Sequence, residues 1–435
     1  MTSVSVRVLL RTVTYGAFMA FVNRAGAQTT VTLPLDVTGE VRVRSEYEHV
    51  PGLPADLFTY LRTRFGVRVT ASPGVRILVQ MQDSRVLGTE GIGVASAADV
   101  LELHQGYLEI TRALHAHPIA MRAGRQEIAL GNERLVGVSN WGNLGRAFDG
   151  FRVTLSADTS TKGVQRWTVN AIGVTVEERG HRFGTTSVDA HPTDHTLIGL
   201  FSSRELTRTT AVETAVMYDG SGKFRRYRNS DRGTAYARMR ATLPLSLRGD
   251  VEGAYQFGHQ QYAATDTSVV TVAQAVGAWL LAARLTTPAL GPHKAVVTAG
   301  VDMLSGDATP NNATYSAFST MYASNHAFYG LQDVIGDPAA STHERGLIDA
   351  FITGGMSVTN RVSLRAEAHE FSMEAGANTP LATEIDLLMP WRVSSAANVE
   401  LGYSAFIARS GAASQSLGAV NSKRHWAYLQ LRAGF

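Results

Sequence analysis

The sequence predicts an all-β protein, a transmembrane antiparallel β-barrel of about 18 strands with short periplasmic turns and long extracellular loops. Three observations predict it. Apolar and polar residues alternate with a period of two over runs of about ten residues, which is strand spacing. Long and short connections alternate between those runs, and the last run continues to the C-terminal Phe435. Composition agrees: of 435 residues 44% are hydrophobic and only 18% charged, 41 are Gly, and none is Cys. The lack of Cys excludes thiolate metal sites, thiol catalysis and disulfides.

Residues 1–27 precede the first run. Arg7 and Arg11 form a basic start, residues 13–22 are mostly apolar, and Ala25-Gly26-Ala27 fits a small-residue cleavage site, as expected of a secretory signal peptide. No later stretch has the roughly 18 consecutive apolar residues of a membrane-spanning helix. Residues 28–435 are therefore expected to form a single outer-membrane domain.

The strands then follow in order. In Glu40 to Tyr47 every second residue is charged and those between are mostly apolar. Leu61, Phe65, Val67 and Val69 alternate with Arg62, Arg64, Gly66 and Arg68, and Val75, Ile77, Val79 and Met81 alternate with Arg76, Gln80 and Gln82. The same spacing recurs around Arg238 and Arg240, around Arg365, and in Val399 to Ala405. A helix would scatter these charges around a cylinder, whereas a strand puts them on one face. The candidate strands are 37–50, 60–72, 75–85, 100–110, 117–130, 148–156, 165–176, 195–203, 209–219, 233–243, 246–259, 274–285, 293–305, 347–358, 362–371, 383–391, 397–406 and 425–435. Patterning is weakest in 100–110 and 274–285.

Short connections follow even-numbered strands, as at Pro73-Gly74, Pro244-Leu245 and Thr359-Asn360-Arg361. Long ones follow odd-numbered strands: 86–99, 131–147, 177–194, 220–232, 260–273, 306–346 and 407–424. Segment 306–346 is too long for a bare connection and is expected to act as a cap or pore plug. The amphipathic last strand, closing on Phe435, suits a signal read by the barrel assembly machinery of the bacterial outer membrane.

A specific resemblance rests on Met121-Arg122-Ala123-Gly124-Arg125-Gln126-Glu127, Gly131-Asn132-Glu133-Arg134-Leu135 and the block from Trp141 through Gly145-Arg146-Ala147-Phe148-Asp149-Gly150. Gln82-Asp83-Ser84-Arg85, Leu103 to Tyr107, Tyr255 to Gly258, Ser305-Gly306-Asp307, His326 to Gly330 and Glu384 to Leu387 fit in order. This series resembles the alginate export (AlgE-like) outer-membrane barrel family along essentially the whole chain after residue 27. The resemblance implies an 18-stranded barrel conducting an anionic polysaccharide through a pore lined by basic side chains.

The residues give their own version of that pore. If apolar positions face lipid, the alternating polar ones face the lumen. Arg42, Arg44, Arg62, Arg64, Arg68, Arg76, Arg122, Arg238, Arg240 and Arg365 then point inward, and those of the first three strands form a basic wall. Arg125 and Arg146 of the family block are further pore-lining candidates, although Arg125 is out of phase with Arg122. Guanidinium groups stay charged and bind carboxylates in a fork, which suits a polyuronate or another carboxylated solute. The competing structural reading has the arginines brace the barrel by pairing with Glu40, Glu46, Glu48, Glu102, Glu367 and Glu400. Net charge points nowhere: Arg7, Arg11 and Arg24 are the only charged side chains in 1–27, so 40 basic residues less 3 leave 37, against 37 acidic. Such neutrality implies no nucleic-acid partner.

Enzymatic signals are weaker. His115-Ala116-His117 lies at an expected turn without a third ligand, and His343-Glu344 and His369-Glu370 lack the continuation of a zinc hydrolase helix. Asp302, Asp307 and Asp333 read as solvated acids, and no cofactor or metal is expected. Trp167, Tyr218, Tyr255, Trp279, Trp391 and Tyr403 read as interface girdle or strand packing. The expected function is an outer-membrane channel, not an enzyme, for an anionic polysaccharide or oligosaccharide. The alternative is a general or small-carboxylate anion porin for nutrient uptake, and the third reading is an outer-membrane hydrolase.

Overall fold

The computed structural model describes residues 34–88, 98–114, 117–158, 166–175, 196–221, 230–263, 271–309, 312–376, 379–409 and 423–435. The expected signal peptide and most of the connections 86–99, 177–194, 220–232, 260–273 and 407–424 lie outside them, as do His115 and Ala116. The strands are β1 (Leu35–His49), β2 (Asp56–Ser72), β3 (Val75–Leu87), β4 (Asp99–Leu114), β5 (His117–Gln126), β6 (Phe148–Asp158), β7 (Arg166–Thr175), β8 (Thr196–Glu205), β9 (Thr210–Ser221) and β10 (Ser230–Thr242). They continue with β11 (Arg248–Ala263), β12 (Thr271–Thr286), β13 (Val296–Leu304), the two-residue β14 (Thr314–Tyr315), β15 (Leu347–Ser357), β16 (Ser363–Ser372), β17 (Pro380–Arg392), β18 (Ala397–Ala408) and β19 (Lys423–Gly434).

All but β14 pair antiparallel with their neighbours, and β19 returns to β1 with Arg42 opposite Arg432 and Glu46 opposite Tyr428. The result is a closed 18-strand barrel. Closure pairs each of the 18 barrel strands on both sides among the described residues, the condition for a sheet to cross hydrocarbon. Each of the 18 strands read from periodicity is present, including the weakly patterned 100–110 and 274–285. Boundaries move by a few residues, with one informative exception: strand 117–130 stops at Gln126, and Ile128 and Leu130 turn into the barrel. The loop alternation also needs correction, because 50–55 and 373–379, at the same end as the long connections, are short.

The two faces separate as the pleat requires. Val41, Phe65, Ile77, Val79, Leu200, Val216, Val251, Leu281, Leu401 and Leu431 are exposed on the outside, as suits contact with lipid. Tyr218, Tyr255, Trp391 and Tyr403 share that face. Between them, Arg42, Arg44, Arg62, Arg64, Glu252, Asp302 and Glu384 are buried inside. No helix among the described residues is long and apolar enough to cross a membrane, so the strands do the crossing.

Two connections on the long-loop side fold back into the lumen. Segment 127–147 follows β5, and segment 305–346 follows β13. They pair with each other: Gly137 N–H donates to Tyr322 O at 2.8 Å, Tyr322 N–H to Leu135 O at 2.9 Å, and Ser324 N–H to Glu133 O at 3.1 Å. Ile128, Leu135 and Val136 from the first segment pack with Phe318, Tyr329 and Ile335 from the second. This layer lies against inward-facing Leu197, Met217, Leu280, Leu304, Phe371 and Phe406. The lumen therefore holds a hydrophobic core, with each fully buried large side chain contributing about 1.5–3 kcal/mol. Segment 306–346, expected to act as a cap or pore plug, thus folds into the lumen, and 127–147 forms the other half of this inner layer, here called the plug for its position.

Candidate functional site

Of the wall expected from the first three strands, the arginines of β1 and β2 come together, and they are occupied, whereas Arg76 of β3 pairs with Glu109. Register places Arg42 directly opposite Arg62 and Glu40 opposite Arg64, so four guanidiniums from β1 and β2 converge at mid-height. Arg42 donates to the backbone carbonyls of Asn140 at 2.7 Å, Trp141 at 3.0 Å and Gly142 at 3.0 Å. Arg44 donates to Trp141 O at 2.8 Å, and Arg62 reaches Asn140 O and Gly142 O, both at 3.2 Å. Arg64 reaches Leu144 O at 3.3 Å. Glu40 accepts from Arg62, Glu46 from Arg44 and Glu127 from Arg64, which offsets the mutual repulsion of the guanidiniums. A short stretch of carbonyl oxygens, 140–144, thus occupies the position where an anionic solute was expected.

Local sequence shapes that stretch to fit. Gly145 has φ +71°, and a Cβ there would lie 2.6 Å from Arg64 Nη2, so only glycine lets the chain pass this close. The Trp141 ring is sandwiched. His326 of the second segment stacks on it at 4.0 Å with planes 4° apart, and the Arg44 guanidinium lies 3.7 Å from its centroid. Tyr428 and Trp426 of β19 meet its edge. With neighbours on this scale Trp141 acts as a bolt between plug and wall, leaving no open sugar platform.

The opposite wall is acidic. Arg134, fully buried, reaches across from segment 127–147 to Glu252 at 2.9 Å and Asp302 at 2.8 Å. Arg284 of β12 bridges the same two carboxylates. Burial opposes the charge on Arg134, but Asp302, Tyr329 and Glu252 outweigh it and raise its pKa well above the usual guanidinium value. Glu384 of β17 accepts the N–H of Gln332 at 2.8 Å, and a Cβ at Gly330 would fall within 2.5 Å of its carboxyl carbon. The plug is strapped at both sides by complementary charge: wall arginines hold its carbonyls, and wall carboxylates hold its arginine and an amide.

The remaining predicted arginines divide into two groups. Arg76 and Arg122 share Glu109, Arg238 binds Asp250 and Glu213, Arg240 binds Glu213, and Arg365 binds Glu367. These face the lumen as expected; Arg68 also does, opposite Asp36, with no ion pair among the described residues. The pairings with Glu40, Glu46 and Glu367 are those of the bracing reading, whereas Glu400 accepts from Tyr428 and Glu102 from Gln82. Arg125 and Arg146 are corrections. Gly124 is opposite the inward Tyr107, so the next residue, Arg125, turns outward, where it pairs with Asp149 at 2.6 Å. Arg146 does lie inside, but as part of the plug: it donates to Gly137 O and to Ala323 O, both at 3.2 Å, and its burial holds its pKa below the usual value against Tyr322 and Glu133.

Asp302, Asp307 and Asp333 are not brought together: Asp302 is held by arginines, Asp333 accepts from His326, and Asp307 caps the N–H of Thr309. Arg134, Trp141 and His326 stand within the family motifs, but nothing in those motifs assigns them a role. The available signal was negative: from Gly131 to Gly145 the alternation of apolar and polar residues stops while bulky residues continue.

Comparisons with known proteins agree with this architecture. The crystal structure of Pseudomonas aeruginosa OpdO superposes with a TM-score of 0.58 at 12% identity, covering 92% of this chain and 97% of that one. P. aeruginosa OccK8 (OprE) gives 0.59 at 11% identity over 92% and 98%, and Acinetobacter baumannii OccAB4 gives 0.57 at 8% over 92% and 98%. At such identities the likeness establishes the fold, that of outer-membrane porins. No curated protein matches the sequence. The sequence model for alginate export matches residues 33–379, which takes in β1 to β16 and both lumenal segments, and the chain belongs to the alginate export family of bacterial outer-membrane channels.

Proposed function

We propose that this channel is a passive conduit for an anionic polysaccharide or oligosaccharide, and that the lumenal plug is its gate. One observation carries the reading. Inward-facing guanidiniums on the turn side of the plug stay partly open to solvent despite their ion pairs: the side chains of Arg76, Arg240, Arg365 and Arg432 are 46%, 49%, 51% and 58% exposed. In outer-membrane barrels the short turns are periplasmic. A carboxylated chain arriving from the periplasm meets these groups before it meets the plug. The outward face is apolar, so the charges serve the lumen alone. Family membership supports the substrate class.

The porin reading, uptake of small carboxylates, draws support from a different feature. Arg42, Arg44, Arg62 and Arg64 are committed to carbonyls of the plug, which favours a narrow path over a polymer-sized one. Planar-bilayer recording separates the two. Anion-selective current blocked by polyuronate supports the conduit, block by small carboxylates alone supports the porin, and ester turnover without a channel would sink both. Phe435 lies largely exposed at the end of the closing strand, paired through its backbone with Gly39, a position suited to recognition by the assembly machinery.

A further inference from the structure

We propose that a second basic site, a cleft at the turn end of the barrel framed by Arg166, Arg208, Arg240 and Arg248, docks the carboxylates of a uronate-containing saccharide and loads the channel. The inference rests on the anion-conduit reading and adds a place of first capture to it. The cleft has a volume of about 750 Å³. That is within the range of roughly 300–1,000 Å³ usual for ligand pockets. It is formed where β7 begins, β8 turns into β9, β10 turns into β11, and β12 ends.

Charge is unevenly committed there. The lining carries four arginines and two carboxylates, Glu205 and Asp250. Asp250 is already engaged by Arg238, and Arg240 spends a single Nη2 on Glu213 at 3.2 Å. Arg208 and Arg248 are exposed and make no ion pair among the described residues. Guanidinium groups in this state keep their fork geometry available for a carboxylate.

Position identifies the source of that carboxylate. Register sets Arg240 opposite Asp250 and Arg248 opposite Thr286, on the same inward parity as the buried Glu252. The groups therefore face the lumen, out of reach of lipid headgroups at the outer surface. The rest of the lining fits a sugar held by hydrogen bonds: five threonines contribute hydroxyls and there is no aromatic ring. A neutral glycan would gain little from the arginines, and a phosphate or carboxylate without hydroxyls would leave the threonines unused.

The test uses the full chain purified in detergent and the double substitution Arg208→Glu/Arg248→Glu. Isothermal titration with trigalacturonate should show binding, with maltotriose at least about tenfold weaker because it lacks the carboxylates. The double variant should lose at least about tenfold in affinity for trigalacturonate while keeping its heat-modifiable mobility on gels. In planar bilayers trigalacturonate should block at lower concentration from the turn side, and the variant should lose that asymmetry. Titration with free glucuronate separates the two sources of a uronate: tighter binding of the trimer assigns a chain end, equal binding a monosaccharide. Unchanged trigalacturonate affinity in the folded variant, or equal binding of maltotriose, overturns the docking site and leaves the conduit standing. Variant-sensitive binding without any channel supports the site and sinks the conduit.

Discussion

Arg62 shows how little of a side chain's role is set by the direction in which it points. Periodicity turns it inward, as expected, and its burial is nearly complete. Its partners are Glu40 and two carbonyls from residues 78 and 80 positions further along the chain. Carbonyls occur at every residue, so no sequence pattern advertises that a wall arginine will capture a backbone in place of a solute. Each hydrogen bond from a charged donor contributes about 1.5–3 kcal/mol. Arg62→Ala removes two such bonds to the plug, so the balance between held and released segment 139–144 should move by at least on the order of 100-fold. In single-channel recordings this appears as more frequent high-conductance openings, with Arg62→Lys intermediate; identical traces for both variants and the parent would remove Arg62 from the gate. Arg134 sits across the lumen with the opposite logic. Arg134→Ala leaves the fully buried Glu252 and Asp302 with Arg284 as the one cation they still share, and breaking a buried pair from one side costs about 3–5 kcal/mol. Urea titration of the barrel in detergent micelles should show that loss, and a change below about 1 kcal/mol would place the Arg134 pairs among those of little worth.

Strands were legible in the sequence because a strand crossing a membrane has two different solvents on its two faces, and alternation records both. Even β12, with its long apolar run Ala278 to Ala283, is bounded well by its neighbours' register. The lumenal segments were half legible. The length of 306–346 marked it for a role, but 127–147 hid behind Ile128 and Leu130, which keep a step of two before Gly131 turns the chain, although on the lumenal parity of Arg122 and Gln126. What distinguishes them is the partner of those apolar residues, a second loop nearly two hundred positions away, and pairing at that distance leaves no local trace. The two segments meet at the parallel bridge between Val136 and Tyr322, and burial together with the nearby Asp219 raises the Tyr322 phenol's pKa. Because the native chain has no Cys, a pair placed there has no competitor. Val136→Cys/Tyr322→Cys should form a disulfide, since bridged residues fall within the roughly 4.4–6.8 Å Cα separation the bond needs. If the gate opens by parting the two segments, the oxidised channel should stay in its low-conductance state and recover on addition of dithiothreitol. Equal opening in oxidised and reduced protein means that the plug moves as one body or does not move.

At the scale of the whole molecule, net charge proves a poor guide and the placement of charge a good one. A chain with 37 residues of each sign after residue 27 has no overall pull on an anion, yet its strands turn arginines and carboxylates alike to the lumen. Segregation then works a second time inside, with the basic side on β1 and β2 facing Glu252 of β11 and Asp302 of β13 across the lumen, Glu384 of β17 lying two strands short of β1, and the plug strung between them. The same division makes the outer face intolerant of what the inner face requires. Val216 of β9 is 62% exposed on the outer surface, flanked in register by Leu200 and Ala235, well inside the strand. An arginine on the lipid face near the bilayer midplane costs about 2–4 kcal/mol, whereas one on the lumenal face is solvated or paired. Val216→Arg should therefore lower the stability of the barrel refolded into lipid vesicles by that amount. In detergent micelles, which deform around a charge, the loss should be smaller. The neighbouring inward position provides the control: Ala215→Arg breaks packing against the plug, so its cost should be the same in both environments. If Val216→Arg is tolerated equally in vesicles and micelles, the outer face at this height is not in contact with hydrocarbon, and the membrane boundary must be redrawn.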